Sequence, residues 1–365
     1  MSSERQGPLA GLRVLEFAAI GPVPFCGMLL SDLGADILRV DRPGARYDKH
    51  MVETRGRRSI ELNLKDPAAV EKALALVEKA DIVLEGLRPG VMERLGLGPE
   101  NALARNPKLV YARMTGWGQS GPYAQLAGHD INYIAISGAL HAIGPAEKPI
   151  PPLNMIGDFG GGSMYLALGI LSALRHAERT GEGQIVDCAM SDGSTNLMAM
   201  IYGYLSGGGW FDQREVNTVD GGAPFYNSYV CSDGNFIAFG AIEGQFYAEM
   251  RSVLGLSDPI FDDQWKRPNW PEMRERVAAV VAHKSREEWV KIFDGHDACF
   301  APVLSLTEAP HDAHNVARDV FLEIDGVIQP APAPRFSKTP GRVQGPPSPP
   351  ANSTAEALRD WGVTF

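Results

Sequence analysis

Between Leu12 and Asp41 the chain alternates apolar runs with a helical pattern, and this alternation constrains the fold more than any other feature. Leu12-Arg13-Val14-Leu15-Glu16-Phe17 reads as a short buried strand. Gly21, Pro22 and Pro24 form a loop, Phe25 to Leu33 follows helical spacing, and Gly34 fits the C-terminal cap. Ala35 to Asp41 is then a second strand. A strand–helix–strand unit makes the two strands parallel and the crossover right-handed. The pattern continues with strands at Ser59–Asn63, Asp81–Glu85 and Leu109–Met114. Between the first two of these, Asp66 at the N-cap and Pro67 at the first helical position open a helix to about Lys79. The fold class that follows is α/β, a doubly wound parallel sheet.

The later chain adds a helix from Gly162 to about Arg179, a strand at Gln184–Ala189 and a helix from Ser191 to about Ser206, stopped by three glycines. Residues 207–224 have the composition of a linker. A second domain then opens with strands Tyr226–Val230 and Asn235–Phe239 around a Ser232-Asp233-Gly234 turn. Helices are expected at Glu243–Leu254, Glu272–Ala282 and Ser285–Asp294. The proline-dense run from Pro330 to Pro350 reads as an extended segment laid over the surface.

A formal net charge of −10 argues against nucleic-acid binding, because such a surface repels phosphate backbones. Cys26, Cys188, Cys231 and Cys299 are far apart, form no CxxC and read as small buried hydrophobes in a reducing compartment. No segment is apolar for long enough to span a membrane. The polar start, Met1–Pro8, and the end, Gly362–Phe365, carry no signal-peptide or peroxisomal pattern, so a cytoplasmic location is expected. His311 and His314 have no evident third ligand, and no metal site is expected.

Two blocks carry the chemistry. Gly128-His129-Asp130-Ile131-Asn132-Tyr133 and Gly157-Asp158-Phe159-Gly160-Gly161-Gly162 flank a mostly apolar segment. His129 and Asp158 are a candidate acid/base pair, able to serve one carbon if they face one pocket. The glycine triplet reads as the start of a helix, whose unpaired N–H groups suit a developing oxyanion. Asp158 there could equally be a helix-capping carboxylate, and His129 a packed or surface histidine. The first strand–helix turn, Ala19-Ile20-Gly21-Pro22-Val23-Pro24, is not G-x-G-x-x-G, so a nicotinamide cofactor is not expected although Asp41 stands at the distance of a ribose ligand. Basic residues recur after the early strands: Arg39 and Arg42, then Arg55, Arg57, Arg58 and Lys65, then Arg88 and Arg94. Ligands of open α/β sheets bind beyond the strands' carboxyl ends, so Arg42, Lys65 and Arg88 stand where a phosphate-bearing ligand would dock, unless they are ordinary solvated charges.

With these residues in view the chain resembles the family III CoA transferases (the CaiB/BaiF family) and, among them, the α-methylacyl-CoA racemase branch. The likeness runs from Gly7-Pro8-Leu9-Ala10-Gly11 through Asp32-Leu33-Gly34-Ala35-Asp36, Asp41-Arg42-Pro43-Gly44, Leu62-Asn63-Leu64-Lys65, Arg88-Pro89-Gly90 and Thr115-Gly116-Trp117-Gly118. It includes the two blocks above and Asp297-Ala298-Cys299-Phe300-Ala301-Pro302-Val303. The resemblance implies a large Rossmann-like domain over 1–206, completed by 325–365, a linker over 207–224, a small α/β domain over 225–324, and an interlaced homodimer. The branch's activity is epimerisation of (2R)- and (2S)-2-methylacyl-CoA thioesters through an enolate. It implies His129 and Asp158 as the proton-transferring pair, with Asp130 and Glu243 as a second carboxylate pair or as groups that orient or tune His129, and Glu243 approaching across the dimer interface. CoA contacts are implied at Arg42, Leu62, Asn63, Leu64, Lys65, Gly86, Leu87, Arg88, Arg94 and across Gly128, His129, Asp130, Ile131, Asn132 and Tyr133. Coenzyme A is part of the substrate, so no separate cofactor is expected. Met190, Met198 and Met200 are candidates for the surface under the acyl tail. The rival readings are a CoA transferase with Asp158 as nucleophile and a non-catalytic acyl-CoA-binding protein.

Overall fold

The computed structural model describes residues 5–364, so the polar start is seen only from Arg5 and the carboxyl terminus only to Thr364. The chain divides into two compact units. The first holds the residues up to Ser137, Leu153–Met198 and the chain from Arg318 onward; the second holds Gly138–Pro152 and Ala199–Ala317.

The first unit is built on six strands: β1 (Arg13–Phe17), β2 (Asp36–Asp41), β3 (Arg57–Glu61), β4 (Ile82–Glu85), β5 (Val110–Thr115) and β6 (Gln184–Ala189). They pair in the order β3-β2-β1-β4-β5-β6, all parallel. This is the doubly wound order whose direction reverses between β1 and β4, and a crevice opens at that reversal. Alternate residues of each strand serve opposite faces. Leu15, Leu38, Val83 and Tyr111 pack on one face with Leu76 and Trp361, while Val14, Ile37, Ile82 and Val110 pack on the other with Leu30, Leu166 and Ile170. Both faces are covered, as a parallel sheet requires.

Two boundaries move for identifiable reasons. The first helix runs Pro22–Asp32 and takes in both prolines expected in the loop. A helix's first-turn N–H groups have no intrahelical partner, so proline loses nothing there. The third strand starts at Arg57 rather than Ser59 and ends at Glu61, because Arg57 is neutralised within the core by Glu16 (Nε to Oε2, 2.8 Å). The expected helix over 191–206 is two helices, Met190–Leu197 and Ala199–Ser206.

β3 is an edge strand, and the proline-rich tail covers it. Residues 331–350 contain no helix or strand. Ser348 Oγ donates to the Arg57 carbonyl (3.0 Å), and the Ala351 N–H donates to Ser59 Oγ (3.1 Å). A hairpin of Phe321–Ile324 and Val327–Pro330, not foreseen in the sequence, precedes the tail. Arg55 anchors it by donating to Gln329 Oε1 (2.9 Å) and the Pro330 carbonyl (2.8 Å) while paired with Asp32.

The second unit carries an antiparallel sheet of β7 (Tyr226–Val230), β8 (Phe236–Gly240) and β9 (Phe300–Val303). The expected hairpin forms β7 and β8. β9 escaped sequence reading because it is four residues long and contains Pro302, which an edge strand tolerates. Helices Gly244–Leu254, Trp270–Val281 and Arg286–Phe293 close over Phe225, Phe239, Met273 and Trp289. Cys26, Cys188 and Cys231 are buried, whereas Cys299 is exposed at φ +48° just before β9.

Candidate active site

The loops following β1, β4 and β5 converge at the reversal of strand order. Ile20–Val23, Gly86–Pro89 and Gly116–Trp117 line a cavity of about 330 Å³, together with Gly128, His129, Tyr133, Asp158 and Met190. The two ionisable side chains singled out in the sequence therefore face one space.

His129 occupies the N-cap of the helix Asp130–Ile136, with extended backbone (φ −132°, ψ 175°). Its N–H donates to Asn132 Oδ1 at 3.0 Å, and the Asn132 N–H donates back to the His129 carbonyl at 2.8 Å. The residue is exposed, and the helix start fixes it through its backbone.

Asp158 sits differently. The helix preceding Gly162 begins at Met155, and Met155–Met164 is π-helical before regular α-helix takes over at Tyr165. The glycine triplet is thus inside a helix, and its N–H groups are not a helix start. Wide i→i+5 turns of this kind occur at functional sites and push one residue out of the regular ladder. Asp158 is half-buried, and its Oδ2 accepts from Asn154 Nδ2 at 3.1 Å. Burial pushes its carboxyl above the usual aspartate value; the Asn154 hydrogen bond opposes this, Asp130 adds to it, and His129 opposes it.

The glycines have steric roles. A Cβ on Gly157 would lie 2.4 Å from Asp130 Oδ1, the atom that accepts the Asp158 N–H at 2.7 Å. Gly157 is the space through which Asp130 holds Asp158. Gly161 faces the backbone of Gly193 and Ser194, and Gly162 faces Met190 and Pro22. Gly21 (φ +71°) allows the β1 loop to pass beside the Asp158 carboxylate, where an added Cβ would be 3.3 Å from Oδ2. Asp130 is buried, and its Oδ2 has no hydrogen-bond partner among the described residues.

Of the other expected ligand contacts, Gly86, Leu87, Arg88, Gly128 and Tyr133 line the cavity. Arg42, Lys65 and Arg94 are exposed and lie outside its wall, as do Asn63, Ile131 and Asn132; Leu62 and Leu64 pack partly against the core. Four of the recurring basic residues are structural: Arg39 pairs with Asp41, Arg55 with Asp32, Arg57 with Glu16 and Arg58 with Asp36. Met190 lines the cavity, Met198 is half-buried and Met200 is exposed in the second unit. Glu243 is the N-cap residue of the helix Gly244–Leu254 in the second unit. Sequence reading missed Asn154, the residue just before the π-helical turn, and the packing of Trp117, whose ring lies edge-on to Tyr133 (centroids 4.7 Å apart).

The family model for CoA-transferase family III matches residues 9–354. The chain belongs to this family. Among relatives of this family III chain, the mouse α-methylacyl-CoA racemase is 45% identical over 360 residues, covering 98% of this chain and 94% of the relative. The human α-methylacyl-CoA racemase is 45% identical over 334 residues, 91% of this chain and 87% of the relative. The α subunit of succinyl-CoA–L-malate CoA-transferase from Chloroflexus aurantiacus is 30% identical, covering 98% and 90%. A crystal structure of a hypothetical protein from Mycobacterium tuberculosis superposes with a TM-score of 0.81 at 26% identity, covering 97% of this family III chain and 99% of that one.

Proposed function

We propose that the chain epimerises (2R)- and (2S)-2-methylacyl-CoA thioesters by 1,1-proton transfer at the α-carbon. The observation that carries this is the presence of His129 and Asp158 on the wall of one cavity. Inversion needs a base on each face of the carbon. One removes the α-proton, electron density moves onto the thioester oxygen as an enolate, and the other delivers a proton to the opposite face. His129 and Asp158 fill these roles and exchange them with the direction of reaction. A thioester α-carbon is a weak acid, so a carboxylate raised by burial is a better-matched base than an ordinary aspartate.

The enolate oxygen is assigned to backbone N–H near Asp130, in the first turn after His129, where a helix leaves its N–H groups without intrahelical partners. The glycine triplet, with its N–H groups inside the π-helical turn, is not assigned this role. Arg88, at the cavity rim, is assigned to the CoA moiety, with Arg42, Lys65 and Arg94 further along the strand ends. Within the same reading, Asp130 holds Asp158 and Glu243 approaches from a partner subunit of a homodimer. The large domain binds CoA, and the enzyme works in the cytoplasm without a separate cofactor.

The 30% likeness to CoA transferases supports a second reading with Asp158 as nucleophile. That chemistry needs a second acid and passes through an acyl-enzyme anhydride that hydroxylamine intercepts. Incubation of a single 2-methylacyl-CoA epimer in D₂O separates the two. Epimerisation with α-deuterium uptake in the absence of any acceptor acid supports the racemase. Hydroxylamine-sensitive CoA exchange between acids, without α-exchange, supports the transferase.

A further inference from the structure

Tyr133 stands one turn after His129 on the same short helix, and its side chain turns back toward the peptide that precedes His129. Its hydroxyl donates to the Gly128 carbonyl. The N–H of that same Gly128–His129 peptide donates to Asn132 Oδ1 at 3.0 Å. One peptide plane is therefore gripped on both of its edges by consecutive residues.

The Tyr133 ring has no room to shift. It is 7% exposed. An added Cβ on Gly116 would fall 2.1 Å from the ring, and one on Gly128 would fall 2.7 Å from it. Trp117 closes the slot edge-on, with an interplanar angle of 85°. Burial raises the Tyr133 phenol above its ordinary value, so it remains a donor across the neutral range. Gly116, Trp117, Gly128, Asn132 and Tyr133 thus make one rigid mount, and the residue it carries is exposed to the cavity.

We propose that Tyr133, with Asn132, is a positioning residue for His129, setting where the imidazole stands by clamping the Gly128–His129 peptide. This rests on the reading of His129 as one of two bases and assigns the tyrosine hydroxyl and the asparagine amide oxygen roles within the chain rather than on the substrate. The clamp grips the peptide of one base directly: Asp158 is held by different hydrogen bonds, its N–H to Asp130 Oδ1 and its Oδ2 from Asn154.

That separation supplies the test. Tyr133→Phe removes only the hydroxyl. Asn132→Ala removes the acceptor, and Asn132→Asp restores one. Each full-length variant is incubated in D₂O with each pure epimer of a 2-methylacyl-CoA, and inversion and α-deuterium uptake are measured separately. Tyr133→Phe and Asn132→Ala are expected to slow inversion by roughly 10²-fold, the cost of misplacing one reacting group by about an ångström, with KM changed little. The epimer whose α-hydrogen faces Asp158 should still take up deuterium at near the wild-type rate, because Asp158 removes its proton, exchanges it with D₂O and returns a deuteron to the same face. Uptake by the other epimer should fall with inversion, and Asn132→Asp should recover most of it. Equal loss of uptake for both epimers, or inversion unchanged in Tyr133→Phe and Asn132→Ala, overturns the clamp. Wild-type enzyme that exchanges neither epimer would instead overturn the racemase reading itself.

Discussion

His129 and Asp158 face the same cavity from structurally opposite settings. His129 is exposed, at the start of a regular helix, and is fixed by its backbone. Asp158 is half-buried in a π-helical turn, held through its N–H by Asp130 and through its carboxylate by Asn154. Two groups that trade protons with one carbon benefit from similar proton affinities. An aspartate ordinarily ionises far below neutrality and needs burial to bring it up. The fold supplies that burial at Asp158.

The comparison breaks most completely if the bases are removed singly. His129→Gln and Asp158→Asn are each expected to reduce inversion by about 10²–10⁴-fold, the range associated with a positioned acid or base. Chiral analysis of the CoA ester checks this, and near-wild-type inversion in either variant removes that residue from the pair. Next in size is Gly157→Ala, whose Cβ would collide with Asp130 Oδ1. It should cost about 1–3 kcal/mol of stability through local overpacking and should impair exchange at the Asp158 face more than at the His129 face. Denaturant unfolding and epimer-resolved deuterium uptake check the two parts.

Asn154→Ala should act more gently. The lost hydrogen bond favours the ionised carboxylate, so its removal raises the Asp158 pKa further and moves the low-pH limb of kcat/KM upward, in the direction where Asp158 is the base. A pH–rate profile reads this; a limb that stays in place or moves downward contradicts it. The smallest effect concerns stability. Burial raises the folded-state pKa of Asp158 above its unfolded value. Below the unfolded value both states are protonated and no penalty exists; as pH rises through the folded value, ionisation favours the unfolded chain and stability is lost. Asp158→Asn should therefore raise the unfolding midpoint at neutral pH, with the gain shrinking as pH falls toward the ordinary aspartate value. A gain independent of pH would place its origin elsewhere.

Much of the fold was legible because its signals are local. The strands Arg13–Phe17, Asp36–Asp41 and Gln184–Ala189 follow from runs of apolar residues, and the cap at Asp66 from one carboxylate accepting the Ala68 N–H at 3.0 Å. What escaped depends on partners far along the chain. Gly160–Gly162 resembles a helix start, but Gly161 and Gly162 meet Gly193, Ser194, Met190 and Pro22. Arg57 resembles a ligand-binding arginine until Glu16, 41 residues away, neutralises it. At the site, His129 and Asp158 were readable as residue types, while Gly157 as the gap between two aspartates needed the geometry. Asn154 and the double grip on the Gly128–His129 peptide needed it too.

The central claim is that two bases act on opposite faces of one α-carbon, and deuterium uptake by the single-base variants tests it most directly. In D₂O, His129→Gln should exchange the α-hydrogen of one epimer without inverting it, and Asp158→Asn should do the same for the other epimer only. Exchange of the same epimer by both variants, or of both epimers by either one, would contradict the two-base account.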